Sequence, residues 1–184
     1  MDGLDKCQNH VVKSAKKIYL AGPDVFRKDA IETLNKLKEY SSQYGHLAMA
    51  PIDRVLEVPK EINGTKKHAL LIFKSNVEYI NECDVIIANI EPFRGPGVDD
   101  GTAWEIGYGF AKGKLIYGYS EFSHRSLEDI TKEMFDMERQ RKYSEIENFE
   151  NPANLMIVDS IEESGGKIFK TFEECLKDLN KNSS

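Results

Sequence analysis

The run Asp84-Val85-Ile86-Ile87-Ala88-Asn89-Ile90 is the most constraining stretch of the chain. It is too short for a helix of ordinary length and apolar on both of its alternating faces, so it reads as a buried strand. Glu91 to Val98 follows, with two Gly and two Pro, and must be a loop. A helix then starts near Thr102 and ends at Gly113. A buried strand, a turn in the open and a returning helix are the elements of an α/β sheet. Ligands bind to such sheets at the carboxyl ends of the strands.

The rest of the chain repeats this alternation. Lys17–Ala21, His46–Ala50, Leu115–Tyr119 and Lys167–Lys170 read as further strands. Between them, helical spacing covers Asp29–Tyr44, Lys67–Cys83, Ser126–Tyr143 and Phe172–Leu179. In Lys67–Cys83 the residues Leu70, Leu71, Phe73, Val77 and Ile80 form the expected apolar side. Arg54–Lys66 reads as a surface loop, and Asn154–Val158 fits a strand or a short helix equally. The pattern predicts a flavodoxin-like α/β fold, a doubly wound five-stranded parallel sheet in the order 2-1-3-4-5. With 184 residues, the expected organisation is a polar tail over 1–16 and a single domain over 17–184.

Composition narrows the function. The chain has 31 acidic against 25 basic residues, a net charge of -6, which gives no grip on nucleic acid or an anionic membrane. It has no apolar run of membrane-spanning length and no signal-peptide pattern. Cys7, Cys83 and Cys175 are odd in number and far apart, which suggests a reducing, cytoplasmic setting. His10, His46, His68 and His124 are scattered, so no metal is expected. Neither GxGxxG nor GxxxxGK[ST] occurs, and no cofactor is expected.

In the 2-1-3 arrangement the loops after strands 1 and 3 face one crevice. The first carries Gly22, Asp24 and Phe26 beyond Tyr19; the second carries Phe93 and leads to Asp99 and Glu105; Asp53 lies after strand 2. Glu105 has two readings. Thr102-x-x-Glu105 fits a capping box, in which the glutamate bonds its own helix start. Alternatively Glu105 is a rigid, ionised carboxylate at a helix N-terminus, suited to act as a nucleophile. Gly107 and Gly109, each costing about 1 kcal/mol in a helix, suggest close seating of that helix on the sheet. Carboxylates with neither a metal nor a phosphate loop suit a sugar, and glycosidic cleavage passes through a cation that a carboxylate can trap. Asp24, Asp53 and Asp100 each have a more ordinary reading as turn or cap residues.

Several segments, taken in order, resemble the nucleoside 2-deoxyribosyltransferase family: Lys17-Ile18-Tyr19-Leu20-Ala21-Gly22-Pro23, Cys83–Ala88, Pro92-Phe93-Arg94-Gly95, Asp99-x-Gly101-Thr102-Ala103-Trp104-Glu105-Ile106-Gly107 and Asn154-Leu155-Met156. The resemblance implies exchange of a 2-deoxyribosyl group between a deoxynucleoside donor and a free nucleobase acceptor, with retention. It implies Glu105 as nucleophile, Tyr19 as the residue that orients it and Asp99 as a ligand of the sugar hydroxyls. It further implies a homo-oligomer, at least a dimer, in which Asn154, with Met156 beside it, completes the neighbouring subunit's site. Some members carry a base-contacting aspartate where this chain has Asn76. An amide cannot supply a proton, so Asp99 or water takes that role. Asn76, the Phe93-Arg94 loop and the long segment 122–153 favour a purine. The alternative is a deoxynucleoside 5′-monophosphate N-hydrolase. Pro23, without an amide hydrogen, and the negative Asp24 argue against a phosphate there. A non-catalytic receiver is disfavoured because strand 3 ends in Asn89-Ile90-Glu91.

Overall fold

Among the described residues, five strands alternate with helices. The computed structural model describes residues 14–54, 58–134 and 145–182. In order they form β1 (Lys17–Ala21), a 3-10 turn (Pro23–Phe26), α1 (Ala30–Gln43), β2 (Leu47–Met49), α2 (Lys66–Glu82) and β3 (Val85–Asn89). Then come α3 (Asp100–Ala111), β4 (Leu115–Tyr119), α4 (Leu127–Met134), α5 (Leu155–Glu163), β5 (Ile168–Phe169) and α6 (Phe172–Asn182). The sheet order is β2-β1-β3-β4-β5, and every pairing is parallel. This is the expected doubly wound order.

Each central strand divides its side chains between two cores. Tyr19, Ile86 and Ile116 pack with Ile80, Ile106, Val158 and Ile161, under α2, α3 and α5. Ile18, Leu20, Val85, Ile87 and Tyr117 pack with Leu34, Leu176 and Leu179, under α1 and α6. Every residue of β3 is buried, which is why its sequence lacks apolar–polar alternation.

Some elements differ from the sequence expectation. Asn154–Val158 belongs to helix α5: Asn154 is its N-cap and accepts from the Met156 amide. The fifth strand is only two residues long. On α2 the buried residues are Ser75, Tyr79 and Ile80, whereas Leu70, Leu71 and Phe73 are exposed. Helical periodicity detects an apolar stripe but not what covers it. Residues 1–13 of the expected tail and 135–144 of the expected fourth helix lie outside the described residues. Among the described residues, no helix is long and apolar enough to cross a membrane.

Candidate active site

Glu105 lies one turn into α3, on its buried side. The helix start does not use it. Asp99 is the N-cap, and its Oδ2 accepts from the amide and from the hydroxyl of Thr102, both at 3.0 Å. The cap is therefore Asp99-x-x-Thr102, and Glu105 is left for other contacts. The Tyr19 hydroxyl, projecting from β1, donates to its Oε1 at 2.6 Å. Asn76 Nδ2, from α2, approaches the same oxygen at 3.4 Å. Three elements far apart in sequence thus converge on one carboxylate. Both contacts fall on Oε1.

Electrostatics adjust the expectation of a fully ionised group. Burial pushes the Glu105 carboxyl from 4.5 up to about 7, and the charge of Asp99 adds to the rise. The hydrogen bonds from Tyr19 and Asn76 oppose it without cancelling it. The helix N-terminus alone does not keep this acid in the usual carboxylate range, because desolvation dominates. The Tyr19 phenol is driven far above its ordinary value, first by burial and then by the charge of Glu105. It remains a hydrogen-bond donor. Asn76 Oδ1 is buried and has no hydrogen-bond partner among the described residues.

Glu105 opens on a cavity of about 460 Å³. The β1 loop contributes Gly22, Val25 and Phe26, the β2 loop Pro51 and Ile52, α2 His68, Ile72 and Asn76, and the start of α3 Asp99, Gly101 and Thr102. Phe93 stacks on Phe26 with centroids 5.4 Å apart. The Arg94 guanidinium lies over both rings, at 4.6 Å and 5.3 Å. Of the residues expected at the site, Glu105, Asp99, Gly22, Phe26 and Asn76 line this cavity; Tyr19 holds Glu105 and Phe93 backs Phe26.

Four others lie elsewhere. Asp24 is buried and turned away from the cavity, and its Oδ2 accepts from Asn89 Nδ2 at 2.9 Å and from the Tyr119 hydroxyl at 3.3 Å. Asp53 caps its turn by accepting from the Ala50 amide and pairs with Lys38. Asp53 follows the turn reading, whereas Asp24 ties its loop to β3 and β4. Asn154 bonds within its own chain to Glu147 and Met156, and Met156 is 69 % exposed; neither lines the cavity of its own chain. His68 and Ile72 were not expected at the site. Their spacing with Asn76, i, i+4 and i+8, puts all three on one helix face, and that signal was readable once Asn76 was singled out. Among the described residues, no cluster of His, Cys, Asp or Glu is arranged to hold a metal ion.

Residues 18–156 match the family model for nucleoside 2-deoxyribosyltransferases. The chain belongs to this family. The 2-deoxyribosyltransferase from Leishmania mexicana is similar at 30% identity and a TM-score of 0.71, over 90% of this chain and 97% of that one. The 2-deoxyribosyltransferase from Bacillus psychrosaccharolyticus shares the fold at 24% identity and a TM-score of 0.57, over 89% and 90% of the two chains. An uncharacterized protein of Schizosaccharomyces pombe is 36% identical over 118 residues, 64% of this chain and 54% of that protein. The chain thus spans about half the length of that curated relative. With the 2-deoxyribosyltransferases it shares the five-stranded parallel sheet in the order 2-1-3-4-5.

Proposed function

We propose that this protein moves a 2-deoxyribosyl group between nucleobases through a covalent bond to Glu105. The observation that carries the reading is the convergence of Tyr19 and Asn76 on Glu105 Oε1 at the wall of a nucleoside-sized cavity. With Oε1 held, Oε2 attacks C1′ from the face opposite the base. The C1′–N bond breaks and its electron pair leaves with the base, which takes a proton from water. A second base then attacks C1′ and releases its N–H proton to water, the C1′–Oε2 bond breaks and leaves Glu105 a carboxylate, and two inversions give retention. Asp99 also binds the sugar hydroxyls. A 2-fluoro-2-deoxyarabinosyl nucleoside is expected to leave a mass-detectable adduct on Glu105, and Glu105→Ala to leave none and to abolish exchange. Full exchange activity in Glu105→Ala would overturn the reading.

The preferred base in this proposal is a purine, docked against Phe26 and Phe93. Deoxyinosine is expected to outcompete thymidine as donor. The active form is a homo-oligomer in which Asn154 and Met156 serve the neighbouring subunit, consistent with their position outside their own cavity. One observation favours the hydrolase alternative more than the sequence did. Asp24 is buried against Asn89 and Tyr119, so its charge no longer guards the cavity against a phosphate. Rates on deoxynucleosides and on their 5′-monophosphates, with and without an acceptor base, separate the two.

A further inference from the structure

A line of hydrogen bonds, buried at Asn89 and Asp24 and reaching the surface at Glu121, crosses the carboxyl edge of the sheet behind the cavity. Asn89, 8 % exposed at the end of β3, uses both ends of its amide. Its Nδ2 donates to Asp24 Oδ2 at 2.9 Å, and its Oδ1 accepts from the Glu91 amide at 3.0 Å. The Glu91 carboxylate accepts in turn from the Ser120 hydroxyl at 3.1 Å and from the Glu121 amide at 2.6 Å. The Tyr119 hydroxyl returns to Asp24. The loops after β1, β3 and β4 are thereby joined. Backbone approach supports the same junction: Gly22 has φ 149°, and a Cβ there would lie 2.6 Å from Asn89 Cβ.

None of these polar groups except the Gly22 backbone touches the cavity. What they hold does. The β1 loop carries Phe26 two residues beyond Asp24, and the β3 loop carries Phe93 two residues beyond Glu91. Phe26 is 59 % exposed and is not fixed by packing alone. Its stacking on Phe93 requires the two loops to keep their separation. Besides the ring contacts themselves, the Asn89–Asp24 bond ties the β1 loop to the end of β3 by a side-chain hydrogen bond. A buried donor facing a carboxylate is a strong and directional tie, roughly twice a neutral hydrogen bond.

We propose that Asn89 and Asp24 are positioning residues that set the aromatic rim and thereby the affinity for the base, without acting on the sugar. The inference rests on the transferase reading of the same cavity. It separates two duties in the site: α3, β1 and α2 hold the carboxylate, and the Asn89–Asp24 strut holds the base.

The test is steady-state exchange kinetics on a set of variants. Asn89→Asp keeps the acceptor for the Glu91 amide but sets a second carboxylate against Asp24, so it isolates the strut. The expected result is a rise of about tenfold or more in KM for the acceptor base, from loss of one buried charged hydrogen bond, with kcat within about twofold. Combining Asn89→Asp with Asp24→Asn exchanges donor and acceptor across the same gap. This double variant is expected to recover most of the KM. A fall in kcat with KM unchanged, or a double variant no better than the worse single one, would overturn the proposal. If Asn89→Asp folds poorly, Tyr119→Phe removes the other bond to Asp24 and should show the same split more weakly; unchanged KM there would count against the strut. These outcomes are distinct from failure of the transferase reading, which would appear as absent base exchange in the unaltered protein.

Discussion

Burial sets the working pH of Glu105. As the proposed nucleophile Glu105 must be ionised, yet burial pushes its carboxyl up to about 7, outweighing its two hydrogen bonds. The kcat/KM for the donor is therefore expected to rise with pH through an inflection near 7. Tyr19→Phe removes the larger of the two bonds that lower this value, so the inflection should move upward and the rate at pH 7 should drop by about tenfold or more. A pH–rate profile of both proteins checks this, and an inflection left in place would remove Tyr19 from its role. The same shift has a cost in stability. The folded-state value, about 7, lies above the unfolded one of 4.5, so the native state holds a proton that the unfolded chain has lost. That contribution is complete below about 4.5 and disappears as pH rises through 7, a difference of order 3 kcal/mol. Glu105→Gln, which keeps an acceptor for Tyr19, should then melt roughly 5 °C or more above the unaltered protein at pH 8. At pH 5 the two should nearly coincide. Calorimetry at the two pH values reads the difference.

Helix α3 shows which parts of an element are legible from sequence and which are not. Its two glycines look alike in the sequence, and both suggested close seating. Only Gly109 is buried against the sheet, where a Cβ would lie 2.2 Å from Ile86 Cδ1. Gly107 faces open space. Gly109→Ala is expected to destabilise by about 1–3 kcal/mol through overpacking. Gly107→Ala should stabilise by up to about 1 kcal/mol through helix propensity. Denaturant midpoints of the two variants should move in opposite directions. The pairing of Tyr19 with Glu105 was readable because strand order puts the ends of β1 and β3 side by side. The sequence pointed to Thr102-x-x-Glu105 as the cap, whereas Asp99 takes that place in the structure, and only geometry decides between overlapping caps. Asp24 stood among the site candidates because its loop faces the crevice. Its inward turn depends on Asn89 and Tyr119, 65 and 95 residues away, and no local pattern encodes such partners.

At the scale of the molecule, no described residue covers the face made by α2 and α3. Leu70 and Phe73 are each 50 % exposed and Trp104 is 45 % exposed. Phe73 meets Trp104 at 5.5 Å, and Trp104 stacks on Tyr108 at 5.0 Å, so these rings form one patch on the two helices that also carry Asn76 and Glu105. Apolar surface gathered this way marks an interaction site more often than a solvated face. The proposed oligomer gives it an occupant, a second copy of the chain. Phe73→Glu and Trp104→Glu place a charge in the patch without touching the core, since both side chains are substantially exposed. Each is expected to shift the sedimentation coefficient from that of a dimer or larger assembly to that of a 21.0 kDa monomer. If the neighbouring copy supplies Asn154 to the site, exchange activity must fall with the assembly. Adding Asn154→Ala to the already monomeric variant should then change nothing further, whereas the same substitution in the assembled protein should lower activity. Monomeric behaviour of the unaltered chain at assay concentration, with activity intact, would mean that each copy completes its own site.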